Sequence, residues 1–69
     1  MTIKSVILEK FSSEASFARR LGWSRQRLNK ITTLTKSPTV GEINEMAVGL
    51  GISASEVYLI FLHMMSSNG

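Results

Sequence analysis

The chain has no cysteine, no aspartate, one proline and one histidine in its 69 residues, and each scarcity removes a class of function. Without cysteine there is neither a disulfide framework nor a thiolate metal site, so a reducing cytoplasm is the expected setting. The lone His63 has no second His, Cys or carboxylate pair beside it, and no Gly-rich loop of the phosphate-cradling kind occurs. Nucleophile–base chemistry and metal chemistry therefore lack their parts, and the sequence reads as a non-enzyme that uses no cofactor. Long apolar runs are missing as well. Val57 to Leu62 is followed by His63 before Met64 and Met65, far short of the roughly 20 residues that cross a bilayer. Lys4, Glu9 and Lys10 break up any signal-like stretch, so the expectation is a protein neither exported nor membrane-spanning. A chain this short buries about 60% of its unfolded surface and supports one core, so residues 1–69 are expected to form one domain.

What is present is an uneven distribution of charge. Eight Lys+Arg against five Asp+Glu give a formal net charge of +3. Arg19, Arg20, Arg25, Arg27, Lys30 and Lys36 are six of the eight bases, and no acid lies between Glu14 and Glu42. Such a stretch makes a positive field that attracts polyanions, of which nucleic acid is the commonest partner for a small protein. A solvated helix face is the plain alternative, because charge patterning reports attraction and not fold.

Apolar spacing is helical throughout, with no two-residue alternation long enough for a strand, so the chain reads as all-α with five short helices. Ile3, Val6, Ile7 and Phe11 make one face of the first, which Ser12 and Ser13 stop while offering a hydroxyl cap to the second, over about residues 14–21. Gly22 supplies a permissive turn, Trp23 follows, and Ser24 is a natural N-cap for a third helix through about Thr33. Leu28 and Ile31 are the only large apolar residues in that helix and must face inward, leaving Arg25, Gln26, Arg27, Asn29 and Lys30 on its polar side. Pro38 disfavours helix at Ser37, so Leu34 to Pro38 is a loop. Thr39 and Glu42 have the spacing of a capping box, with Val40, Ile43, Ala47 and Leu50 as one face behind it. Gly51 ends this fourth helix. Ser53 and Glu56 form a second box for a fifth helix that runs to Met64 or Met65, and residues 66–69 read as a frayed tail.

The informative segment is about 13–33, where helix, turn and helix follow with little slack. Two helices that cross steeply need a small residue at the crossing, Ala18, and a flexible turn, Gly22. Apolar contacts must then meet from both sides: Phe17, Leu21 and Trp23 from one, Leu28 and Ile31 from the other.

Here the sequence resembles the lambda repressor-like helix-turn-helix family, the Cro/repressor or XRE type. Phe17-Ala18-Arg19-Arg20-Leu21-Gly22-Trp23-Ser24 carries the resemblance, with Leu28, Ile31, Pro38-Thr39-Val40, Met46 through Ser53 and the downstream Glu56, so it covers roughly residues 3–62. It implies a third helix that enters the major groove of double-stranded DNA and reads base edges. On this chain the matching base-reading positions are Arg25 and Gln26, with Asn29 and Lys30 a turn further on. Arg can fork onto guanine O6 and N7, and Gln or Asn can bridge adenine N6 and N7. Phosphates would be held around Ser13 and Ser24, with Arg27, Thr33 and Lys36.

Two departures stand out. Where many relatives place Gln to hold a phosphate at the start of the second helix, this chain has Glu14, whose charge would repel one. Where relatives commonly end the recognition helix with an acid and then Gly, it has Thr32-Thr33-Leu34.

Several side chains have plain readings. Trp23 is expected to be a core wedge and not a base-stacking platform, His63 a bystander, and Arg19 and Arg20 a solvated surface. The fifth helix is less plain. Val57, Ile60, Phe61 and Met64 form a stripe toward the core, while Tyr58, Leu59, Leu62 and Met65 form a second stripe that a small monomer cannot cover. A homodimer contact is the expected use. A sequence-specific transcriptional regulator of the phage repressor or Cro sort is the leading reading. The second is an interaction module on the same fold, antirepressor-like or antitoxin-like, that binds another regulator protein. RNA recognition lacks exposed aromatic platforms.

Overall fold

The computed structural model describes residues 1–66, among which there are five α-helices and no strand. They are α1 (Ile3–Lys10), α2 (Glu14–Leu21), α3 (Arg25–Thr32), α4 (Val40–Leu50) and α5 (Ala54–Ser66). The all-α expectation holds. Ser66 is the last residue of α5 and not part of a tail, and residues 67–69 lie outside the described residues.

Each of the first four helices starts on a hydroxyl residue whose oxygen accepts a backbone N–H three residues on: Thr2 from Ser5, Ser13 from Ser16, Ser24 from Arg27, Thr39 from Glu42. One orphan donor is satisfied at each start. The Thr39–Glu42 box closes reciprocally, as the spacing predicts. At α5 the Ser53 hydroxyl likewise accepts from the Glu56 N–H, but the Glu56 carboxylate bonds the Ser53 hydroxyl instead of its backbone.

The core gathers Ile3 and Ile7 from α1, Phe17 from α2, Leu28 and Ile31 from α3, Met46 and Leu50 from α4, and Val57 and Phe61 from α5, all fully buried. The Ile3 N–H donates to the Met64 sulfur at 3.3 Å, tying the two ends of the fold together. Phe11, expected on the α1 face, is the C-cap of that helix and half-buried, with its ring 4.8 Å from that of Phe17. Ile60 and Met64 are half-buried beside Val57 and Phe61. Val40 is a correction: it is 76% exposed. The buried set Ile43, Met46, Ala47 and Leu50 is already a complete i, i+3, i+4, i+7 stripe, and Val40 stands a turn before it at the first position of α4.

Two backbone features fix the path around α3. Gly22 ends α2 at φ +75°, and its N–H bonds the last turn of that helix, so the chain turns directly into Trp23 and Ser24. Leu34 follows α3 at φ +60°, in the left-handed region that a residue with a Cβ enters at a cost of about 1 kcal/mol. Its N–H donates to the Ile31 carbonyl and its side chain packs on the core, which holds it there. At a third position, Gly49, a Cβ would stand 2.9 Å from the Phe17 ring and 3.0 Å from Leu21, so α4 approaches α2 more closely than any side chain would allow.

Candidate nucleic-acid interface

The helix α3 carries two sides of opposite character, and its sequence dictates both. Leu28, Ile31 and Thr32 are buried, and Arg25, Gln26, Asn29 and Lys30 are exposed on the far side. Those four side chains line one open depression of ≈ 530 Å³. None of them spends a donor or acceptor on another described residue. Packing against α2 supports the helix from below.

Around this face the polar groups are already engaged, and one carboxylate organises them. Glu42, in the first turn of α4, is 4% exposed. Its Oε1 accepts the Thr39 N–H at 2.9 Å. Its Oε2 accepts from Arg27 Nε at 3.2 Å, Arg27 Nη2 at 3.1 Å and Lys36 Nζ at 3.4 Å. The Thr39 N–H is the chief cause that holds this carboxyl below its ordinary pKa. Burial opposes that shift, while Arg27 and Lys36 add to it. The Arg27 guanidinium also lies 4.2 Å over the Trp23 ring, and the Trp23 Nε1 donates to Glu45 at 3.4 Å. Trp23 is buried, as a core wedge should be, but one indole face serves a cation.

Among the phosphate-contact candidates, then, Arg27 and Lys36 are ion-paired with Glu42. The Ser13 and Ser24 oxygens cap α2 and α3. The Thr33 hydroxyl donates to the Asn29 carbonyl at 2.7 Å. Arg19, Arg20, Arg25 and Lys30 make no ion pair with a described residue. The Glu14 carboxylate has partners within the fold. It pairs with Lys4 at 3.4 Å and accepts from the buried Thr32 hydroxyl at 3.0 Å. A polar chain thus runs from α1 through α2 to the end of α3. Sequence reasoning identified Glu42 as a cap and missed its second oxygen; nothing in local spacing announces a pair 15 residues apart.

On α5, Tyr58, Leu59, Leu62 and Met65 are 44–59% exposed, in agreement with the second stripe, and His63 is exposed beside them. Among the described residues no three His, Asp or Glu side chains gather to hold a metal ion. No single described helix is long and apolar enough to cross a membrane. No family model, curated protein or solved structure matches this chain.

Proposed function

We propose that this protein is a sequence-specific DNA-binding transcriptional regulator of the lambda repressor-like helix-turn-helix type, with α3 as the helix that enters the major groove. The observation that carries the reading is the row Arg25, Gln26, Asn29 and Lys30: long hydrogen-bonding side chains, exposed together and unspent on any other described residue. A groove about 12 Å wide admits a helix, and these side chains match the donor and acceptor patterns of base edges. Ser13 and Ser24, at the starts of α2 and α3, would stand toward phosphates, with Lys30 and Arg25 adding charge, while the Thr33 proton is already given to the Asn29 carbonyl. A binding face for protein would more often carry aromatic anchors, and this one has none.

The apolar stripe of Tyr58, Leu59, Leu62 and Met65 is the homodimer contact in this reading. A two-fold axis there would set two recognition helices about one DNA turn apart, 34 Å, on a near-palindromic operator in the cytoplasmic nucleoid. Duplex affinity at two salt concentrations tests the proposal. Strong, salt-sensitive and site-selective binding supports it; a folded dimer that ignores every duplex favours the protein-interaction module instead.

A further inference from the structure

The Glu42 carboxylate and the two cations it holds have no part in base reading, yet they sit at the edge of the proposed groove-facing helix. Resting on the DNA-binding reading above, we infer that Glu42 is a positioning residue that sets operator specificity: it holds Arg27 and Lys36 away from DNA phosphates and uses Arg27 to fix α3 against α4.

Three observations carry this. First, α3 lies closest to α2, and among the described residues the hydrogen bonds that join it to α4 are those of Arg27 Nε and Nη2 to Glu42 Oε2. Second, the arrangement is over-determined: Arg27 is clamped between the Trp23 ring and a carboxylate that is itself fixed by the Thr39 N–H. Third, the Arg27 and Lys36 side chains are 43% and 51% exposed. The Lys36 N–H donates to the Lys30 carbonyl, which places this loop directly beside the exposed face. Freed from Glu42, both heads could reach phosphates along the duplex. Phosphate contacts add affinity without sequence information, so their capture within the protein favours discrimination over raw binding.

The test uses the full chain, the duplex site recovered by selection from random DNA, and a scrambled duplex of equal length. Glu42→Gln preserves the side-chain shape and the cap acceptor but removes the charge. It is expected to steepen the salt dependence of binding by up to about 1.8 log units per log unit of salt per subunit, from about 0.9 for each released cation. The ratio of affinities for selected over scrambled duplex is expected to fall about tenfold or more. An unchanged slope and ratio in a folded Glu42→Gln protein would overturn the inference. Lys36→Ala, on an exposed loop, gives an independent reading even if the first variant fails to fold. Its slope should equal that of the unaltered protein, whereas a slope shallower by about 0.9 would make Lys36 a phosphate ligand and defeat the inference. If the unaltered chain itself shows no site preference, the proposed function fails and the inference falls with it, a result distinct from normal binding with silent variants.

Discussion

Glu42 sits where a capping carboxylate, a buried acid and two cations coincide, so its titration should be visible in stability. Its pKa is lowered in the folded chain from an ordinary 4.5. The stability it contributes is therefore fully present above about pH 4.5 and is lost as pH falls through the folded value. Melting temperature measured from pH 7 to pH 3 should decline below pH 4.5 more steeply in the unaltered chain than in Glu42→Gln, which has no proton to take up there. At neutral pH the same variant should be less stable by about 2 kcal/mol, the scale of hydrogen bonds to a charged group. Gly49→Ala offers a second residue-scale prediction. Alanine favours a helix interior by about 1 kcal/mol, but its Cβ would press on the fully buried Phe17 ring. Overpacking of this kind costs about 1–3 kcal/mol, so thermal denaturation should show net destabilisation. At the proposed reading face, Arg25→Ala and Gln26→Ala should each lose about 1–3 kcal/mol of discrimination at one base position and leave the melting temperature unchanged, as competition binding against point-mutated sites would report.

At the scale of elements, local chemistry announced most of what forms. The hydroxyl before each helix, Gly22 and Gly51 after α2 and α4, and Pro38 in the loop all act within a few residues, so their effects are legible from sequence order. The caps Thr2–Ser5 and Ser13–Ser16 were partly hidden because serine replaces the usual acid at the third helical position. Val40 misled because periodicity counts a residue into a stripe without knowing where the neighbouring helices stop. The contacts Glu14–Thr32, Arg27–Glu42 and Lys10 Nζ to the Leu50 carbonyl at 2.7 Å join residues far apart in sequence, and only the packed fold brings them together. The exposed face of α3 was legible for the opposite reason: with only two large apolar residues in the helix, its orientation had one solution. The fifth helix carries the prediction at this scale. Leu59→Glu with Leu62→Lys should leave helical circular dichroism intact, because both side chains already face solvent, and should shift light scattering from the proposed dimer to monomer.

At the scale of the whole molecule, the +3 charge is modest, and its distribution matters more than its sum. Glu14 and Glu42 are both turned into the fold, one onto Lys4 and Thr32, the other onto Arg27 and Lys36, so neither presents a bare carboxylate beside α3. Arg25 and Lys30, which make no ion pair with a described residue, then contribute positive charge to the exposed face. Such a surface fits a polyanion, and its side-chain chemistry fits base edges. The direct measurement is selection of bound sites from random duplex DNA, followed by titration of the recovered site at about 50 and about 200 mM salt. A two-fold symmetric site should emerge, with binding that weakens by about 10³ to 10⁵ across that range if a dimer engages six to ten phosphates. Failure to enrich any sequence, or an affinity indifferent to salt, would contradict the assignment of α3 as a helix that reads DNA.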